Sequence, residues 1–140
     1  MTDEVLVVAG AVLDGGRLLL AQRDRPAELA GLWELPGGKV EPGESPAQAL
    51  VRELCEELDV SVSVGDSLAG VVRPKPGLTL VAMRATIVSG TVRAVEHRAL
   101  RWVDADGLSE LIQTGSMVPN DLAWARELMG ELQVRRHGLS

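Results

Sequence analysis

The chain has 140 residues, 46% of them hydrophobic, a net charge of −6 and a single cysteine. That length suits one domain, residues 1–140, with one core that buries about two-thirds of the unfolded surface; the lone Cys55 excludes an internal disulfide and fits a reducing, cytoplasmic setting. The basic residues form no stripe or tail, which argues against extended nucleic acid as a partner, and no run reaches the ~18 apolar residues that a membrane span requires.

In chain order, Val5–Leu13 and Arg17–Arg23 are apolar runs separated by Asp14-Gly15-Gly16, which predicts an antiparallel hairpin. Acidic Asp3 and Glu4 precede the first run with no basic segment, so it does not read as a signal peptide. Arg25 to Leu32 is a loop leading to Trp33, Pro36-Gly37-Gly38 lets the backbone turn tightly and approach a ligand or ion, and a short strand is expected at Lys39–Val40.

Ser45-Pro46-Ala47-Gln48 supplies an N-cap serine, proline at the first helical position and glutamine three residues after the cap, so a helix should begin at about Pro46. At about 100° per residue, Ala47, Leu50, Val51, Leu54 and Leu58 make one apolar stripe, with Glu53, Glu56 and Glu57 on an arc of about 100° away from it. Cys55, beside the stripe, is expected to be a buried thiol. Beyond the helix, strands are predicted at Val60–Val64 and Leu68–Val72, a basic turn at Arg73-Pro74-Lys75-Pro76-Gly77, and strands at Leu78–Val88 and Ala99–Val103. A short helix over Asp104–Ile112 and an amphipathic helix over Asn120–Leu132 complete the set. The economical burial solution is an α/β (α+β) architecture, a mixed sheet sandwiched between helices.

Three glutamates on one helical face oppose each other. Glu53 and Glu57 at i, i+4 cost an isolated helix about 0.2–0.5 kcal/mol, and carboxylates brought to 4 Å repel by about 4 kcal/mol at an effective dielectric of 20, so some should hold protons. A solvated acidic face is the ordinary explanation of such a run. A hard divalent cation is the functional one, since magnesium takes one or two carboxylates together with substrate phosphates.

Gly38, then Glu44 after five residues, then Arg52-Glu53-Leu54-Cys55-Glu56-Glu57-Leu58 after seven more, resembles the Nudix box; only Asp59 departs, where that pattern has glycine. Trp33-Glu34-Leu35-Pro36-Gly37-Gly38-Lys39 and Glu96-His97-Arg98-Ala99-Leu100-Arg101-Trp102 resemble further segments of the MutT-like nucleoside triphosphate pyrophosphohydrolases, in the branch that includes CTP pyrophosphohydrolases. The resemblance implies a Nudix fold and Mg2+, or Mn2+, held by the Gly37 carbonyl, Glu53, Glu56, Glu57 and Glu96. It implies that Arg52 orients Glu53, that Glu44 holds water near the ions or favours the helix dipole, and that Arg23, Glu34 and Lys39 contact substrate. Asn120 and Asp121 are implied as readers of the base, with an ordinary N-cap as the alternative. His97 is expected on an exposed loop, and Trp33, Trp102 and Trp124 in the core.

The implied reaction converts nucleoside triphosphates, CTP, dCTP or 5-modified dCTP, to the monophosphate and pyrophosphate in nucleotide-pool sanitation. Alternatives are 8-oxo-dGTP as substrate, ADP-ribose or a dinucleotide, and a non-catalytic nucleotide-binding module. The partner is a small nucleotide, and the chain is expected as a monomer or homodimer.

Overall fold

The computed structural model of the protein describes residues 4–95, 97 and 99–138, with side chains as far as Val134. Its strands are β1 (Val5–Asp14), β2 (Arg17–Gln22), β3 (Trp33–Glu34), β4 (Gly37–Lys39), β5 (Ser61–Ser67), β6 (Val72–Lys75), β7 (Leu78–Ser89) and β8 (Ala99–Val103). The helices are α1 (Pro46–Leu58), α2 (Ala105–Gln113) and α3 (Leu122–Gly138), and a 3-10 turn over Pro119–Asp121 leads into α3.

The expected hairpin forms, with Asp14 opposite Arg17. Its two-residue turn needs positive φ at both positions, and Gly15 (φ 56°) and Gly16 (φ 80°) supply it without a Cβ penalty. β1 then serves three neighbours: parallel β7 from Val5 opposite Leu78 to Val12 opposite Ala85, antiparallel β4 with Val8 opposite Gly38, and β2 at its far end. β2 continues to β3 and β8, while β5 and β6 pair with β7.

Alternation along β1 divides the interior in two. Val8 and Val12 pack with Leu50, Leu54 and Leu58 of α1, whereas Ala9 and Ala11 pack with Leu108 of α2 and Trp124 and Leu128 of α3. The sheet therefore lies between α1 and the α2–α3 pair, the sandwich expected from the pattern. α3 is further tied to the sheet side of the molecule: Arg84 of β7 donates to both Glu131 oxygens at 2.9 and 2.7 Å, and Trp124 Nε1 donates to the Gly70 carbonyl at 2.8 Å.

α1 begins at the predicted residue, Pro46, and stops at Asp59. Ser45 and Gln48 form a reciprocal capping box, and Asp59 takes the left-handed cap at φ 61° and ψ 40°, its N–H donating to the Cys55 carbonyl. The rotation of the helix differs from the expected one. Val51 is 40% exposed and Cys55 is exposed, while Ala49 is buried with Leu50, Leu54 and Leu58. On a wheel of about 100° per residue the inward half so defined also contains Glu53 and Glu57, leaving Glu56 outside. α1 lies against β4, whose Gly37 and Gly38 carry no side chain, and the Glu53 carboxylate enters the interface at Gly38.

Two further expectations change. Leu68–Val72 is not a strand, because Gly70 and the contacts of α3 hold that stretch irregular; β6 begins at Val72, so Arg73 and Lys75 lie on a strand and the turn shrinks to Pro76-Gly77. The closing helix starts at Leu122, after the 3-10 turn, instead of at Asn120.

Candidate active site

Gly37 and Gly38 are required by space. A Cβ on Gly37 would strike the Val8 carbonyl oxygen, and one on Gly38 would strike the Glu53 carboxylate. Neither glycine has positive φ among the described residues, so close approach, and not backbone freedom, is what demands them. The glycine pair thus brings bare backbone against an acidic side chain.

Arg52 gathers the neighbouring carboxylates. Its Nε and Nη2 donate to the two oxygens of Glu44 at 2.8 and 2.9 Å, and Nη2 also donates to the Lys39 carbonyl at 3.0 Å. Nη1 reaches Glu53 Oε1 at 3.2 Å and Glu56 Oε2 at 3.4 Å. The Arg52 hydrogen bonds hold the Glu44 carboxyl down at about 2, helped by the Glu41 N–H. Glu53 is displaced the other way: burial raises its pKa, Arg52 opposes this, and Glu56 adds to it. Mutual repulsion among the helix carboxylates, expected from their spacing, is therefore felt at Glu53.

Beside this cluster lies a cleft of about 430 Å³. Val7 and Ala9 of β1, Leu78 and Leu80 of β7 and Trp124 supply its apolar surface. Arg23, Glu34, Lys39, Glu57, His97, Asn120 and Asp121 line it too, and Gly38 both lines it and meets Glu53. Arg23, Glu34, Gly37, Lys39, Glu57, Asn120 and Asp121 are thus brought to one space, while Glu44, Arg52, Glu53 and Glu56 form the adjoining cluster behind β4.

Glu96 lies outside the described residues. The segment leading to it is anchored on the end of α1, with the Arg93 N–H donating to Leu58 O at 2.9 Å and the Val95 N–H to Glu57 O at 3.2 Å. His97 is not exposed as expected: its side chain is 11% accessible, and Nε2 stands 3.6 Å from Glu34 Oε2. That glutamate, and secondarily Glu57, raises the imidazole pKa against the effect of burial. Arg23 Nη1 donates to the other Glu34 oxygen at 3.0 Å. Sequence reading placed Glu34 only by resemblance and missed its partnership with His97, since residues 63 positions apart carry no local signal of contact.

Among the described residues, Asp121 is the one buried charged side chain in the core. Val118, not Asn120 or Asp121, occupies the N-cap position of the 3-10 turn, with no side-chain capping bond. Instead Asp121 Oδ2 accepts the Leu35 N–H at 2.8 Å, which closes the N-cap alternative for this residue; Asn120 is exposed at the cleft rim. A signal was present, because Asp121, Trp124, Ala125 and Leu128 follow the i, i+3, i+4, i+7 spacing of a buried face. Burial pushes the Asp121 carboxyl up to about 7, with the Leu35 N–H and Arg23 opposing and Glu34 reinforcing.

The folded chain therefore holds a proton that the unfolded chain releases near pH 4. This contribution to stability is complete below that pH and is lost as pH rises towards 7. Asp121→Asn should remove the associated decline, which amounts to about 4 kcal/mol at most. Urea unfolding of both chains at pH 5 and pH 7.5 measures it, and parallel pH dependence in the two would contradict the assignment.

Among the described residues no three histidine, cysteine, aspartate or glutamate side chains already converge as a metal-holding group. The donor chemistry nevertheless suits a hard cation, with carboxylate oxygens from adjacent turns of α1 and a glycine backbone that no Cβ shields. No helix among the described residues is long and apolar enough to cross a membrane.

A NUDIX domain model matches residues 4–128. A Mycobacterium tuberculosis protein provisionally named 8-oxo-dGTP diphosphatase 2 is 46% identical over 126 residues, covering 88% of this chain and 86% of the relative. Escherichia coli CTP pyrophosphohydrolase is 48% identical over 98 residues, 69% of this chain and 73% of that one. The solution structure of the E. coli ORF135 protein superposes with a TM-score of 0.75 at 36% identity, covering 99% of this chain and 96% of that chain. Nudix hydrolases act on small nucleotide derivatives and generally use divalent metals, typically Mg2+. With its sheet between helices, its glycine-backed carboxylate helix and these relatives, the chain belongs to the Nudix family and is a Nudix pyrophosphohydrolase of nucleotide derivatives.

Proposed function

We propose that the protein hydrolyses nucleoside triphosphates to the monophosphate and pyrophosphate, with CTP, dCTP or a 5-modified dCTP as preferred substrate, in cleansing or balancing the nucleotide pool. The observation that carries this reading is the joining, at Gly38, of the α1 carboxylate cluster to a cleft of about 430 Å³ that contains a buried Asp121.

In this reading Glu53, Glu56, Glu57, the Gly37 carbonyl and Glu96 hold Mg2+, for which Mn2+ can substitute. When bound, the cation supplies charge stabilisation for phosphoryl oxygens and lowers the pKa of water. Lys39 and Arg23 grip phosphate or sugar from the cleft wall, and Glu34 fixes the Arg23 guanidinium at 3.0 Å. Glu44 anchors Arg52, which orients Glu53 before the cation enters. Water attacks the β-phosphorus, the bond to the α-phosphate oxygen breaks, and the nucleoside monophosphate leaves with pyrophosphate as the second product.

Asp121 supports the cytosine preference by its chemistry. A carboxyl whose pKa is pushed up to about 7 is partly protonated near neutrality. The acid form can donate to cytosine N3 while accepting from the N4 amino group, a pairing that a base lacking those groups leaves unmet. The 48% identity to E. coli CTP pyrophosphohydrolase points the same way. The M. tuberculosis relative favours a second reading, 8-oxo-dGTP, with Asn120 at the base edge.

Measuring kcat/KM with Mg2+ for CTP, dCTP, 5-methyl-dCTP, GTP, dGTP and 8-oxo-dGTP separates the two. A cytosine nucleotide should lead the other bases by at least about tenfold. An equal lead for 8-oxo-dGTP selects the second reading, and absence of pyrophosphate from every triphosphate contradicts both.

A further inference from the structure

The contacts of Arg52 lengthen across a single guanidinium. At one end it is forked onto Glu44 at 2.8 and 2.9 Å and onto the Lys39 carbonyl at 3.0 Å; at the other, Nη1 stands 3.2 Å from Glu53 Oε1 and 3.4 Å from Glu56 Oε2. Charge-assisted N–H···O bonds are ordinarily about 2.7–2.9 Å, so the Glu44 end is held firmly and the Nη1 end loosely. Release of the Nη1 contacts leaves three hydrogen bonds in place. The arrangement is that of an anchored cation with one arm laid across carboxylates it can relinquish.

We propose that the Nη1 arm of Arg52 is the resident counter-ion of Glu53 and Glu56 in the metal-free protein, and that a divalent cation displaces this arm from the two carboxylates while Arg52 stays fixed on Glu44. The inference rests on the proposed placing of the cation at these glutamates and adds a competition between it and the chain's own arginine. Without such a counter-ion the metal-free protein would hold Glu53 against Gly38 beside Glu56 with the repulsion uncompensated. Glu56, whose side chain is 58% accessible, gives an incoming ion an approach from solvent.

A purely positioning arginine and a competing one predict opposite signs. If Arg52 only orients Glu53, its removal weakens metal binding; if it competes, its removal strengthens binding while weakening the metal-free fold. The test uses wild-type protein, Arg52→Gln and Arg52→Lys, each stripped of metal, titrated calorimetrically with Mg2+ and melted with and without saturating Mg2+. Arg52→Gln should bind Mg2+ at least about threefold more tightly than wild type, as expected when a positive charge is removed from beside the ion. It should melt at a lower temperature than wild type without metal, with the gap narrowing in Mg2+.

Arg52→Lys keeps the charge but cannot fork onto Glu44, so it should fold should the glutamine variant fail, and bind Mg2+ no less tightly than wild type. Equal or weaker binding by Arg52→Gln, or weaker binding by Arg52→Lys, overturns the inference and leaves the proposed function standing. A wild-type chain that takes up no divalent cation overturns both.

Discussion

Replacing Glu57 by glutamine should lower turnover of the preferred triphosphate by about 10²–10⁴-fold, the equivalent of several kcal/mol of transition-state stabilisation. Glu57 belongs to the last turn of α1 and lines the cleft. Its backbone is fixed independently of its carboxylate, because its carbonyl accepts the Val95 N–H at 3.2 Å. Glutamine keeps the shape and length of the side chain but carries no charge, so the substitution removes a cation ligand without opening a cavity. Pyrophosphate release reports the loss, and an unaltered urea-unfolding midpoint shows that the fold has survived. Turnover equal to wild type would remove Glu57 from the set of proposed ligands.

A comparable loss, by at least about 10²-fold, is expected from Gly38→Ala, through geometry alone. The added methyl group would occupy the space of the Glu53 carboxylate, and a misplacement of about 1 Å in a catalytic group costs about 10²-fold in rate. Relief requires either β4 to leave its pairing with Val7 and Val8 or Glu53 to swing away from Gly38. Overpacking of this kind typically costs about 1–3 kcal/mol of stability. Both activity and Mg2+ affinity should fall, here because a ligand is displaced, whereas Glu57→Gln keeps the shape of the site and removes a ligand charge. Wild-type turnover in Gly38→Ala would show that Glu53 need not lie against the glycine backbone.

The α1 region shows what sequence can and cannot deliver. The start of the helix at Pro46 was legible because capping is governed by residues a few positions apart. Its rotation was not, because Glu53 turns inward against the bare backbone of Gly38, which reaches α1 from a separate strand. Cys55 and Val51 were misplaced by the same error of about half a face.

The hairpin of β1 and β2 was legible from Asp14-Gly15-Gly16, and the parallel pairing of β1 with β7 was not, since some 70 residues separate Val5 from Leu78. Among candidate site residues, the motif named the Glu44, Arg52, Glu53, Glu56 and Glu57 cluster by spacing. Asp121 could be nominated but not distinguished from a helix cap until its carboxylate was found accepting the Leu35 N–H. The Arg23–Glu34–His97 connection was invisible, for it joins three segments that meet only in the folded chain.

Release of pyrophosphate from CTP or dCTP by the metal-free protein, measured before and after adding Mg2+ and again after chelation, tests most directly whether acidic side chains on α1 serve to capture a cation for phosphoryl chemistry. Turnover should be absent without Mg2+, appear on its addition and vanish when it is withdrawn. Hydrolysis that proceeds equally well in the presence of a chelator would contradict the account.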